Sequence, residues 1–128
     1  MSPLFGRSGE KAAQEEAARA EVARLSTLSV SALAAEIMPG FGPGGPRPPG
    51  FGTSANSLQI ANWLMASHPR AERYLRQLIR PINEGIQALV TVGLVEDVGR
   101  VPISDGGRVR VTALGETAVS EGTVREHL

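Results

Sequence analysis

Apolar positions along the chain fall into blocks of different period. From about Gly9 to Leu25 the text GEKAAQEEAARAEVARL is rich in Ala, Glu and Arg, strong helix formers, with Ser8 placed to cap the start. Its apolar positions are mostly Ala until Val22, Leu25 and Leu28, so only that end is predicted to dock, on the rest of the chain or on a second subunit. A second helix is predicted from about Val30 to Met38, with Ser29 as its cap and Leu33, Ile37 and Met38 on its apolar face; Pro39 and Gly40 stop it. The stretch PGFGPGGPRPPGFGTS sustains neither helix nor strand ladder and reads as a linker, bracketed by Phe41-Gly42 and Phe51-Gly52. These pairs fit either a surface anchor or a partner contact, and a plain tether accounts for the stretch as well. The predicted organisation is a helical arm over 1–38, a Gly/Pro-rich linker over 39–55 and a domain over 56–128.

From Asn56 the pattern tightens. NSLQIANWLMAS carries apolar residues at Leu58, Ile60, Ala61, Trp63, Leu64 and Met65 after an Asn-Ser start and is predicted as the first helix of the domain. Pro69 opens a second, PRAERYLRQLI, whose Tyr74, Leu75, Leu78 and Ile79 form one apolar stripe, while Arg73, Arg76 and Arg80 form a basic ridge at helical spacing. Pro81 is expected to end that helix, because an interior proline loses a hydrogen bond and clashes with the preceding turn, at a cost of ~3 kcal/mol or more. A third helix, PINEGIQALVTVG, turns Ile82, Ile86, Leu89 and Val90 inward, leaves Asn83, Glu84, Gln87 and Thr91 outside, and ends on Gly93. After it come a strand GLVEDVG, turn chemistry at Ser104-Asp105-Gly106-Gly107, and a return strand with Val109 and Val111 on one side and Arg108 and Arg110 on the other. Thr112 is placed to cap a helix from Ala113 to Ser120, broken by Gly122; a last turn starts at Thr123 as cap with Glu126 at its third position.

Composition narrows the function classes. The 128 residues carry 13 cations and 13 acids, so no overall basic charge argues for nucleic acid and any basic surface must be local. Cysteine is absent, which removes disulfides, thiolate metal sites and a thiol nucleophile. Neither a secretory h-region nor an apolar span of membrane length occurs, so a cytoplasmic protein with no membrane partner is expected. The chain is not expected to be an enzyme or to need a cofactor. His68 lies in a turn before Pro69, His127 lies near the end of the chain, and GFGPGGP is disqualified as a phosphate loop by its prolines. Adjacent acids such as Glu15-Glu16 and Glu96-Asp97 read as surface charge. Trp63 reads as core packing, with a small-molecule pocket between domain and arm as the alternative.

The run Leu89-x-x-x-Gly93-Leu94-Val95-Glu96, followed after the hairpin by Val111-Thr112-x-Leu114-Gly115, resembles the third helix, wing and post-wing turn of winged helix-turn-helix proteins, including the MarR-like and PadR-like regulators. The resemblance covers about half of the chain and implies a mainly α fold with a small β-hairpin, preceded by the N-terminal helical arm. It requires a break at Pro81 and paired strands after Gly93. It implies a regulator that binds double-stranded DNA as a homodimer, with the N-terminal helix in the dimer contact. Carried over, the DNA-binding positions are Asn83, Glu84, Gln87 and Thr91 on the reading helix, Arg73, Arg76 and Arg80 on the ridge before it, and Arg100, Arg108 and Arg110 on the wing. Two features depart from that picture: no cation lies between Ile82 and Gly93, and Glu84 faces the phosphates. The alternative is a winged helix that holds a protein partner as an adaptor and does not read DNA.

Overall fold

A computed structural model describes residues 3–41, 54–99 and 101–128, with side chains from residue 9 onward. Helix α1 spans Pro3–Thr27. It starts earlier than Ser8, which therefore lies inside the helix rather than capping it. Only its inner face docks, through Ala18, Val22 and Leu25, and the docking is on this same chain. Ser29 Oγ accepts the Ala32 N–H at 3.1 Å and starts α2, Val30–Ile37, as its hydroxyl chemistry predicts. Arg24 clamps the two helices with a two-pronged donation to Glu36 at 2.8 and 3.0 Å, and also bonds Glu21. That guanidinium holds the Glu36 carboxyl below its ordinary range. A 3-10 turn over Met38–Phe41 ends the segment and buries Phe41. The second Phe-Gly pair and most of the Gly/Pro-rich stretch lie outside the described residues.

Helix α3, Ser57–Leu64, opens on a reciprocal cap: Asn56 Oδ1 accepts the Gln59 N–H at 2.9 Å, and Gln59 Oε1 accepts the Asn56 N–H at 3.1 Å. The next segment departs from expectation. Residues Ala71–Tyr74 make a 3-10 turn, and one uninterrupted helix, α4, runs Arg76–Thr91 with Pro81 inside it. Pro81 does not separate two helices. It lies six residues into α4 and forfeits the bond its N–H would have made to the Gln77 carbonyl, whereas Leu78, Ile82, Ile86 and Leu89 are all fully buried along the helix. Burial of each such side chain stabilises by ~1.5–3 kcal/mol, which outweighs one local defect.

Gly93, at φ +80°, ends α4 and turns the chain into strand β1, Val95–Asp97. An antiparallel partner, β2, Val109–Val111, pairs Val95 with Val111, Glu96 with Arg110 and Asp97 with Val109. Within the predicted turn Ser104-Asp105-Gly106-Gly107, Gly106 takes a positive φ, +90°. Ala55 adds an isolated antiparallel bridge on the other edge of β2, exchanging two hydrogen bonds with Val109. Helix α5, Ala113–Glu121, is capped as predicted: Thr112 Oγ1 accepts the Gly115 N–H at 3.0 Å and donates to the Gly93 carbonyl at 2.6 Å. A Cβ on Gly115 would sit 2.0 Å from the Leu94 carbonyl oxygen, so only glycine allows α5 this close to the hairpin. Gly122, φ +69°, breaks α5, and a final turn of helix, α6, spans Val124–His127. Thr123 makes no side-chain cap bond there, contrary to the expected capping role.

The architecture is thus mainly helical with one small hairpin. Its core joins Val22 and Leu25 of α1 and Leu33, Ala34 and Ile37 of α2 to Ile60, Leu78, Ile82, Ile86, Leu89, Val95 and Val109, so the segment read as an arm supplies part of it. The α2–α4 crossing is close because Gly85 has no side chain: a Cβ there would lie 3.2 Å from Ile37 Cδ1. Trp63 packs against this core, half-buried. None of the described helices is long and apolar enough to cross a membrane.

Candidate functional site

The outer face of α4 is the longest polar surface that one element of the domain presents. Its inner positions are fixed by the buried residues, which leaves Arg76, Arg80, Glu84, Gln87 and Thr91 exposed at intervals of four, four, three and four, a single stripe along the helix. Gln77 is exposed beside its start. The unbroken helix changes the chemistry of this stripe. Arg76 and Arg80, expected on a separate helix, stand in line with Glu84 and Gln87. Arg80 Nε lies 3.8 Å from Glu84 Oε1, and both side chains are largely in solvent. Thr91 donates to the Gln87 carbonyl at 2.8 Å.

Asn83 does not join the stripe. The helical period puts it outside, but it is half-buried and its Oδ1 accepts the hydroxyl of buried Ser57, which ties α4 to the first turn of α3. Arg73 sits in the 3-10 turn before α4, exposed, 3.6 Å from Glu15 of α1. Beside it Arg70 donates to Gln14 Oε1 at 3.2 Å, and an open cleft of about 290 Å³ lies between α1 and this turn, lined by Gln14, Glu15, Pro69, Arg70, Glu72 and Arg73. On the hairpin, Arg108 donates to the hydroxyl and carbonyl of Ser54 at 2.8 and 2.7 Å, and Arg110 bonds its cross-strand partner Glu96 at 2.5 Å. Arg100 lies outside the described residues. The hairpin loop presents Val98 and Val101 to solvent, 40% and 51% exposed.

Among the described residues no group of three His, Asp or Glu side chains is placed to hold a metal ion. His68 Nε2 lies 3.9 Å from Glu21 Oε2, and His127 lies half-buried in α6, well apart in sequence and element. The described residues offer a polar helix face flanked by guanidinium groups.

No family model, curated protein or solved structure matches this chain. The functional reading therefore stands on the residues and their geometry. Sequence pattern alone misses Gln77 and splits the arginines from the rest of the stripe, because Pro81 is a strong local stop signal and nothing local reports the burial that overrides it.

Proposed function

We propose that residues 54–128 form a winged helix that binds double-stranded DNA, and that the chain acts as a cytoplasmic transcriptional regulator in the form of a homodimer. The break at Pro81 that the resemblance required is absent, so the resemblance does not support this reading, which rests instead on one observation: α4 leads through Gly93 into a two-stranded antiparallel hairpin, and its exposed stripe begins with Arg76, Gln77 and Arg80. In helix-turn-helix recognition the N-terminal residues of the second helix contact base edges. Here α3 is the supporting helix, α4 the reading helix and the β1–β2 hairpin the wing, with Ala55 as the rudiment of a third strand. Arg76 is suited to guanine or phosphate, and Gln77 and Gln87 to adenine. Arg73 and the wing arginines Arg108 and Arg110 are the backbone contacts. The merged helix makes up for the lack of cations after Ile82, since Arg76 and Arg80 stand at the start of the same helix.

Arg70 through Arg110 include seven Arg against Glu72, Glu84, Glu96, Asp97 and Asp105, a small surplus, so binding is expected to be weak per protomer and to need two copies. Fluorescence anisotropy of the full chain on duplex DNA at low salt tests the reading. Affinity should fall with salt, and Arg76→Ala should weaken it by about tenfold. Absence of any salt-dependent binding to genomic duplexes would refute it. The exposed Val98 and Val101 favour a second reading, a wing that holds a protein partner; in that case DNA binding is absent and Val101→Asp abolishes the partner complex.

A further inference from the structure

Three of the cations on the proposed DNA face each lie within 4 Å of a carboxylate, and one of them, Arg110, is hydrogen-bonded to it. Arg73 is 3.6 Å from Glu15, Arg80 is 3.8 Å from Glu84 and Arg110 is 2.5 Å from Glu96. The pairs arise in three unrelated ways: α1 against the 3-10 turn, one helical turn within α4, and directly opposed residues of the hairpin. Arg76, in the middle of the row, has no carboxylate among the described residues, and Arg108 is held by neutral Ser54.

We propose that Glu15, Glu84 and Glu96 act as intramolecular stand-ins for DNA phosphate, occupying Arg73, Arg80 and Arg110 until a duplex displaces them, and so hold down sequence-independent binding. The guard role rests on the DNA reading of this face. The arginine side chains are 76%, 92% and 57% exposed, so the pairs contribute little to folding and exchange readily. A stability clamp looks different: Arg24, bridging Glu21 and Glu36, binds two carboxylates at once and joins two packed helices. Non-specific affinity comes almost wholly from neutralised phosphates, whereas specific affinity adds base-edge contacts. A carboxylate that must be displaced before each phosphate contact therefore weakens both by the same factor, and leaves binding that has no base-edge contacts too weak to persist. Each also repels phosphates within a Debye length, ~8–10 Å at moderate salt.

The test compares the wild-type chain with E15Q/E84Q/E96Q on random duplex DNA at several salt concentrations. The control is E116Q/E121Q/E126Q, which makes the same change in net charge at exposed positions of α5 and α6 that form no ion pair among the described residues. The guard variant should bind about tenfold tighter, with a salt dependence steeper by up to about 3 in log–log slope, roughly 0.9 for each phosphate gained. The control should move by less than about threefold. In addition, the gain from Glu84→Gln should vanish in an Arg80→Ala background. Equal gains in guard and control variants, or a Glu84→Gln gain that survives loss of Arg80, would overturn the proposal as bulk charge. Unchanged binding by the guard variant with wild-type binding intact would overturn it while leaving the DNA reading in place. If neither protein binds at low salt, both readings fall; wild-type binding to genomic duplexes together with tighter binding of random duplex by the guard variant supports both.

Discussion

Helices α1 and α4 hold their shape for opposite reasons. From Glu10 to Leu25 helix α1 is drawn mostly from the best helix formers, its Pro3, Gly6 and Gly9 falling in the first two turns, yet its buried residues among those described are Ala18, Val22 and Leu25. The 16 residues of α4 include Pro81 and Gly85, the two worst helix formers, and bury Leu78, Ile82, Ile86 and Leu89 besides Gly85 itself. In α1 the local preference of the chain is sufficient and packing pins one end. In α4 packing overrides preference, and the glycine that weakens the helix is what lets α2 cross it closely.

Mutations that act on burial and on propensity separately should pull the two helices apart. Ile86→Ala should have the largest effect, a loss of about 4 kcal/mol in chemical denaturation, because the cavity opens on the fully buried face of α4. Leu25→Ala, in the thinner contact of α1, should cost about 2–3 kcal/mol; an equal or greater loss than at Ile86 would invert the comparison. Pro81→Ala should stabilise the protein by about 1–2 kcal/mol by restoring a bond to the Gln77 carbonyl, part of the gain being offset by a freer unfolded chain. Destabilisation by that substitution would mean that Pro81 ends a helix after all. Ala17→Gly, on the solvent face of α1, should cost about 1 kcal/mol, the full propensity difference, seen as a loss of helical circular dichroism.

The smallest effect belongs to the Arg24–Glu36 clamp. Because Glu36 is held below the ordinary carboxylate value of about 4.5, its contribution is present above that value and lost as pH falls through the lowered one. Glu36→Gln should therefore melt slightly below wild type at pH 7, by less than about 1 kcal/mol, and the two should converge in acid.

Legibility in the sequence depends on how far each signal reaches along the chain. Ser29, Thr112, Gly93 and Gly106 act within three or four residues, and each performs the role its chemistry predicts. The inward positions Ile82, Ile86 and Leu89 are likewise readable, since a helical period does not depend on where the helix begins. The continuity of α4 through Pro81 is not readable, because the local stop signal outweighs the matching helical period of Leu78 and Ile82 on its two sides. Nor is Asn83, which looks solvent-facing by period until Ser57, 26 residues away, is brought against it. Ion pairing is hidden for a similar reason: Arg110 and Glu96 meet only once the strand register is set, and Arg73 and Glu15 only once α1 is docked.

Ala55 occupies one position of the chain, yet its N–H and carbonyl bond Val109 at 2.8 and 2.9 Å, next to the Asn56 cap that begins α3. The flap formed by β1 and β2 is therefore fastened to the root of α3, which Ser57 and Asn83 fasten in turn to α4. Hairpin, α3 and α4 are thus tied in series by three hydrogen bonds, two of them between main-chain groups.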